Sequence, residues 1–269
     1  MKRIADKGMR GRTAIVTGAS EGIGRELARL FAADGWDLVL TARSKGRLNE
    51  LARELRARHG VRCLVIPADL ADPAAPARIA RALAGRRLQI EVLVNNAGFG
   101  SFGAFARTPA NTSLEMIQVN VSALVHLTRL LLPGMIARRQ GMILNVASVA
   151  SFVPGPLMAV YYASKAFVLS FSEALVEETR GEGVTVTALC PGPTRTRFHH
   201  RREMRGGHPA MQMGVMTAKG VAAAGYRAML AGRAIVIPGW QNLLAPLGTR
   251  LAPRGLVRRA VRRIQERRR

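Results

Sequence analysis

Two residues four positions apart, Tyr161 and Lys165 in the run Tyr161-Tyr-Ala-Ser-Lys165, share one face if the segment is helical. A phenol ionises near a pH of about 10, and an ammonium beside it favours the anion. Such a pair can give or take a proton close to neutral pH. Only three tyrosines occur in the chain, so the spacing is uncommon by chance. The plainer alternative is a tyrosine packed beside an exposed lysine. Ser148 stands thirteen positions upstream of Tyr161. Near the other end, Gly18, Gly22 and Gly24 follow the apolar run Ala14-Ile15-Val16 and precede a helix with Leu27, Leu30 and Phe31 on one face. A glycine turn at a helix start offers free N–H groups and the positive end of the helix dipole, which suit a pyrophosphate. The spacing G-x-x-x-G-x-G departs from the dinucleotide fingerprint G-x-G-x-x-G, so a plain tight turn stays open at this point.

The elements that must position these groups alternate. Strands are expected at 13–16, 37–41, 62–66, 92–95, 142–147, 184–189 and 234–237. Helices fill the intervals, the longest near 114–139 and 162–181. Alternation of this kind predicts an α/β fold, a Rossmann-like doubly wound parallel sheet with helices on both faces. Chemistry then belongs at the carboxyl ends of the strands. After the second strand comes Thr41-Ala-Arg-Ser-Lys45, where Arg43 stands in place of the acid that would bind a ribose 2′-hydroxyl. That substitution suits a 2′-phosphate and favours NADP(H) over NAD(H), although Glu21 in the glycine turn gives a phosphate no help. Asp69-Leu70 follows the third strand, where Asp69 either lines a ligand or caps a helix, and Asn95-Asn-Ala-Gly98 follows the fourth.

A chain of 269 residues can bury a sizeable core, and no linker-like stretch divides it. Cys63 and Cys190 lie in expected buried strands without metal-ligand spacing, and read as inert thiols of a reducing compartment. The N-terminal residues before Thr13 show no secretory apolar core, and no uninterrupted apolar run of about 18 residues is present. A cytoplasmic protein with no membrane-spanning helix is therefore expected. The formal net charge of +24 would suit nucleic acid, anionic lipid or an acidic cofactor, or else reflects solvated arginines on helix faces. Interleaved aromatics and zinc-finger spacings are absent, so no specific nucleic acid is expected.

Taken together, Thr17-Gly-Ala-Ser-Glu-Gly-Ile-Gly24, Asn95-Asn-Ala-Gly98, Asn120, Ser148, Tyr161-x-x-x-Lys165 and Pro191-Gly192 resemble the short-chain dehydrogenase/reductase family in order and spacing, over roughly residues 10–240. The resemblance implies NAD(P)-dependent interconversion of a carbonyl and an alcohol. Tyr161 would exchange a proton with the substrate oxygen and Ser148 would hydrogen-bond that oxygen. Lys165 would lower the tyrosine pKa and hold the nicotinamide ribose, and Asn120 would hold a water in the proton relay. The cofactor would be lined by Gly18, Ser20, Gly22, Ile23, Gly24, Arg43, Asp69, Leu70, Asn96, Ala97, Gly98, Pro191, Gly192 and Thr194, together with Tyr161 and Lys165. A homo-dimer or tetramer through the two long helices is also implied. Two features depart from the pattern: Glu21 replaces a usual basic residue, and the chain continues about 30 residues past the last strand. That continuation is unlike the compact β-ketoacyl carrier-protein reductases, while Arg43-Ser44 and Pro238-Gly-Trp-Gln-Asn242 look more like the subgroup that includes reductases of hydrophobic ketones and acyl chains. A dinucleotide-binding sensor without turnover and an epimerase or dehydratase are the competing readings.

Substrate choice should rest with segments 99–105, 151–159 and 196–216. Phe99, Phe102, Phe152, Pro154, Leu157 and Met158 suggest an apolar pocket for a ketone, acyl or steroid-like substrate. Met204, Met211, Met213 and Met216 suit either a mobile lid or core filling. His199, His200 and His208 have no supporting acid or cysteine cluster, so no metal is expected. Residues 1–242 are read as the dinucleotide-binding domain, with the lid inside it, and 243–269 as a basic amphipathic extension. There Leu256, Val257, Ala260, Val261 and Ile264 fall on one helical face, among arginines. This face would touch an anionic membrane or a second subunit, or else pack on its own domain.

Overall fold

The computed structural model describes residues 12–196, 215–243, 248 and 252–266. Its strands are β1 (Thr13–Thr17), β2 (Asp37–Thr41), β3 (Cys63–Val65), β4 (Val92–Asn95), β5 (Gly141–Val146), β6 (Val184–Leu189), β7 (Thr194–Arg195), β8 (Met216–Thr217) and β9 (Ile235–Val236). Seven of them form one parallel sheet in the order β3-β2-β1-β4-β5-β6-β9, while β7 and β8 pair separately. All seven expected strands are present. The edge strands β3 and β9 are shorter than their apolar runs, at three and two residues.

The helices are α1 (Gly22–Ala33), α2 (Lys45–His59), α3 (Ala75–Ala84), α4 (Ala110–Ile117), α5 (Ala123–Ala137), α6 (Ala159–Glu178), α7 (Ala218–Leu230) and α8 (Arg254–Glu266). Alternate strand residues serve opposite layers, as the pleat requires. Ala14, Val16, Leu38, Leu40, Val92 and Val94 pack with Leu27 and Phe31 of α1, Leu48 and Leu51 of α2 and Val221 of α7. Ile15, Val39 and Leu93 pack on the other face with Ile79 of α3, Leu127 of α5 and Leu175 of α6. The sheet thus binds a single domain. Its growth runs from β1 out to β3 and resumes at β4 on the other side of β1, which opens a crevice at the carboxyl ends of β1 and β4.

Two arrangements hold the crevice walls. Phe31 meets Trp36 edge-on at 5.7 Å and Tyr226 at 4.9 Å, and the Tyr226 hydroxyl donates to Asp34 Oδ2 at 2.7 Å. This locks α7 against α1 and fixes the helix that follows the glycine turn. Across the other layer, the partners Asn95 and Asn145 face each other on β4 and β5. Asn95 Nδ2 donates to Asn145 Oδ1 at 2.9 Å and to Thr128 Oγ1 of α5 at 3.1 Å, and Asn145 Nδ2 donates to Ser172 Oγ of α6 at 2.9 Å. All four residues are buried. The seam therefore ties both long helices to the two central strands.

Two expectations need correction. The first long helix begins earlier, at Ala110, and runs to Ala137 with a π-helical turn at Gln118–Ser122 between α4 and α5. This 28-residue helix is long and apolar enough, by length and composition alone, to cross a membrane. Its charged residues are too sparse to have broken an apolar window, yet Leu124, Leu127, Thr128 and Met135 are buried in the domain. In α8 the expected single apolar face is divided. Val257 and Val261 are partly covered and Gln265 is buried, whereas Leu256, Ala260 and Ile264 are exposed. A polar residue, Gln265, has taken the most buried place because it finds a partner described below. Cys63 and Cys190 are buried free thiols, pushed up to about 11 and about 12 by burial.

The seam yields a stability prediction. Asn145→Ala removes partners from Asn95 and Ser172 inside the core, and is expected to lower unfolding free energy by about 1–3 kcal/mol. Equilibrium denaturation checks it, and a change within the error of the extrapolation would show that the seam does not stabilise the fold.

Candidate active site

The strand β1 ends at Thr17, whose hydroxyl donates to Val94 O at 3.1 Å and accepts from the N–H groups of Asn96 at 2.9 Å and Ala97 at 3.0 Å. Asn96 Nδ2 in turn donates to Thr17 O at 2.9 Å. One hydroxyl and one carboxamide thus sew the loop after β4 to the loop after β1. Gly18 adopts φ +64°, and a Cβ there would lie 2.7 Å from Asn96 Nδ2 and 3.0 Å from Ala97 Cα. No side chain fits that position. Glu21 precedes α1 without capping it through its side chain, so the first-turn N–H groups carry no side-chain cap. A turn that excludes a side chain at Gly18, below first-turn N–H groups without a side-chain cap, fits the pyrophosphate of a dinucleotide.

Beside this cradle, Arg43 is exposed after β2 and makes no hydrogen bond or ion pair among the described residues. Glu21 does have a partner, since its Oε2 accepts from Arg47 Nη1 at 2.8 Å. The sequence reading gave Arg47 no part. Its spacing of four from Arg43, at the start of α2, was the available signal. Asp69 is exposed and its Oδ1 accepts from Ala71 N at 3.0 Å, closing a short turn instead of capping α3, while Leu70 is buried. After β6, Pro191 O accepts from Val149 N at 3.0 Å, Thr194 Oγ1 donates to Gly192 O at 2.8 Å, and Gly192 lies against the Asn242 side chain. Ser20, Gly22, Ile23 and Gly24 occupy the turn and the start of α1, and Thr196 packs against Gly22.

At the end of β5 lie the residues expected to handle the proton. Lys165 is 5% exposed, and its ammonium donates to Val146 O at 2.7 Å. Burial pulls its pKa down to about 8. A Cβ on Gly98 would lie 3.0 Å from Asn120 Oδ1 and 3.4 Å from Lys165 Nζ, so the loop after β4 runs directly against both side chains. Asn120 sits in the π turn, buried, with Nδ2 donating to Phe99 O at 2.9 Å and Ser164 Oγ at 3.0 Å, and Oδ1 accepting from Phe99 N at 3.0 Å. The extra residue of the π turn gives the helix the bulge that brings this carboxamide to the loop. Ser148 follows β5, its Oγ accepting from Ala150 N at 3.1 Å and donating weakly to Pro191 O at 3.4 Å. Tyr161 is partly buried one turn before Lys165 on α6, with its ring edge-on to Tyr162 at 6.0 Å.

Two of the three expected substrate segments also meet. Gly103 N donates to Leu157 O at 2.8 Å, and Leu157 has the left-handed φ of +65°, a conformation a branched residue holds only when its surroundings impose it. A shallow crevice beside them is lined by Ser101, Gly103, Leu157, Met158, Ala159 and Val160. Phe99 and Met158 are buried, Phe102 and Phe152 partly so, and Pro154 is exposed. Met204, Met211, Met213 and the histidines at 199, 200 and 208 lie outside the described residues, while Met216 opens β8. Sequence reasoning missed Gln265. This residue of α8 is 1% exposed, and its Nε2 donates to the Tyr162 hydroxyl at 2.7 Å and approaches Met158 Sδ at 3.8 Å. The C-terminal helix therefore lies against the segment expected to line the substrate.

The chain is similar to known proteins in sequence and in fold. A family model described as short chain dehydrogenase matches residues 12–205. The chain is 36% identical over 194 residues to a very-long-chain 3-oxoacyl-CoA reductase of Phaeosphaeria nodorum, covering 70% of this chain and 56% of that protein. It thus spans a little over half the length of the curated relatives it matches. Among solved structures, a short-chain dehydrogenase from Sphingobium yanoikuyae in complex with NADPH superposes with a TM-score of 0.81 at 34% identity, over 91% of this chain and 94% of that one. A short-chain dehydrogenase/reductase from Burkholderia phymatum in complex with NAD gives 0.79 at 28% identity, over 90% and 93%. With the glycine cradle, the buried lysine and the matched region in agreement, the chain belongs to the short-chain dehydrogenase/reductase family.

Proposed function

We propose that the protein interconverts a carbonyl and a secondary alcohol with NADP(H), on an apolar ketone, acyl or steroid-like substrate. The observation that carries this reading is the Lys165 ammonium buried at the end of β5, one helical turn from Tyr161. Bound in the cradle, the dinucleotide would supply or accept the hydride. The chain's own residues handle the proton and the charge. Tyr161 gives its phenolic proton to the carbonyl oxygen as the alcohol forms, and takes it back in the reverse direction. The Lys165 charge favours the resulting phenolate. Ser148 surrenders its long bond to Pro191 O and donates to the same oxygen, stabilising the charge that develops there. Asn120, held by the Phe99 backbone, keeps the loop after β4 in place beside Lys165.

Arg43, without a hydrogen bond or ion pair among the described residues at the end of β2, would read the 2′-phosphate, and the NADPH-bound relative supports that preference. Phe99, Leu157 and Met158 support an apolar substrate, as does the relatives' activity on very-long-chain 3-oxoacyl-CoA. The exposed Leu114, Ile117 and Leu130 on the first long helix and Phe167 on α6 support a homo-oligomer formed through these helices. The two free buried thiols suit a cytoplasmic, reducing setting.

Three outcomes are expected. Tyr161→Phe lowers kcat/KM for ketone reduction by about a thousandfold or more, with NADPH affinity changed by less than about threefold; retained turnover would remove Tyr161 as the proton donor. Arg43→Ala weakens NADPH binding by about tenfold while NADH binding holds, as measured by fluorescence titration at constant salt; equal losses would show that Arg43 does not read the phosphate. Lys165 is charged below its lowered pKa and neutral above it. The reductive kcat/KM should therefore fall as pH rises through about 8, and that limb should vanish in Lys165→Met. A profile flat between pH 7 and about 9.5 would overturn the assignment.

A further inference from the structure

Among the described residues, the helix α8 is covered on one side only. Val257, Val261 and Gln265 recur every fourth residue and face the domain, with Gln265 anchored on Tyr162 and Met158. Leu256, Ala260 and Ile264, also four apart, form a neighbouring ridge that faces outward, with Leu256 58% and Ile264 55% exposed. Around the ridge and the remaining surface stand Arg254, Arg258, Arg259, Arg262 and Arg263, all exposed. Only Arg262 forms an ion pair among the described residues, with Glu266 at 2.7 Å. An apolar ridge bordered by arginines, four of the five without an ion pair among the described residues, needs a partner that is apolar inside and negative at its surface.

We propose that α8 is a docking face for an anionic lipid bilayer, which sets the mouth of the substrate site at the membrane surface. Charge decides between a bilayer and a second copy of this chain. The chain carries a formal net charge of +24, so laying one arginine-bordered ridge on another opposes like charges, whereas an anionic leaflet attracts them. Each arginine held near such a leaflet strengthens binding by roughly fivefold, and the ridge adds the burial of two large apolar side chains. The inner side of the same helix touches Tyr162 and Met158, next to Tyr161 and Leu157. A lipid-borne substrate leaving the bilayer at α8 therefore meets the wall of the crevice without crossing open water. This second step rests on the reductase reading; the docking itself does not.

The test is co-sedimentation of the full chain with phosphatidylcholine vesicles, with and without about 30% phosphatidylglycerol. Binding to the anionic vesicles should be at least about tenfold stronger, and should be lost when salt is raised from about 0.1 M to about 0.5 M. Leu256→Glu combined with Ile264→Glu, and separately Arg259→Glu combined with Arg263→Glu, should each reduce binding by about tenfold or more. Both variants should turn over a water-soluble ketone at the parental rate, which shows that they are folded. Unchanged vesicle binding in the Leu256 and Ile264 variant would overturn the proposal. So would a parental oligomer that falls apart in that variant, which assigns the ridge to a second copy. If the parent binds vesicles but reduces no ketone, the reductase reading fails while the docking face stands.

Discussion

Keeping an ammonium group out of water is the constraint around which this structure is arranged. Lys165 is buried, and its pKa falls to about 8 because desolvation disfavours the charged form. A charge in that position is tolerated only with close polar partners and little intervening bulk. Val146 O supplies the partner, which requires α6 to lie against the end of β5. Gly98 leaves the room, since a Cβ there would crowd Asn120 Oδ1 and stand in contact with Lys165 Nζ. The π turn supplies Asn120 itself, at a point where a regular helix would carry it past the loop. The carbonyl of Val146, the glycine at 98 and the carboxamide of Asn120 thus meet around one buried cation.

Those arrangements hold only if β4 and β5 keep their register to the residue. Apolar side chains set which face of a strand is buried, but slide along the strand at modest cost; a directional bond does not. The pairing of Asn95 with Asn145 provides that direction in the interior of the sheet, and Thr128 and Ser172 extend it into α5 and α6. The same two helices carry the groups that meet at Gly98, because α5 continues the π turn of Asn120 and α6 bears Tyr161 and Lys165. A polar seam one layer below the site therefore controls spacing within it.

How much of this was legible depends on which residues had to meet. The strands showed themselves because both faces are buried and their apolar runs are short and bounded, so three of the seven match to the residue. Tyr161 and Lys165 were legible because helical spacing alone places them on one face. By contrast, nothing local marks Asn120 for a π turn; that depends on the loop at Phe99, 21 positions away. Gln265 and Tyr162 are 103 positions apart, and a glutamine in an arginine-rich tail reads as solvated surface until its partner is known. For the same reason the apolar face of α8 seemed single: periodicity gives the angle a face subtends, but not how much of it a neighbour covers.

Glu21 shows how a departure from a motif is resolved in three dimensions. An acid at the start of a helix is favourable to the helix dipole and unfavourable to an anionic ligand at the same spot. Taken alone, it argues against a phosphorylated cofactor. In the folded chain Arg47 reaches it from the first turn of α2, so the pair contributes no net charge to the cradle. Both side chains are partly exposed, and such a pair adds little to stability. Its consequence is electrostatic: the acid is answered by a residue other than Arg43. Arg43 is then left without an ion pair among the described residues at the end of β2, as the proposed reading of a 2′-phosphate requires.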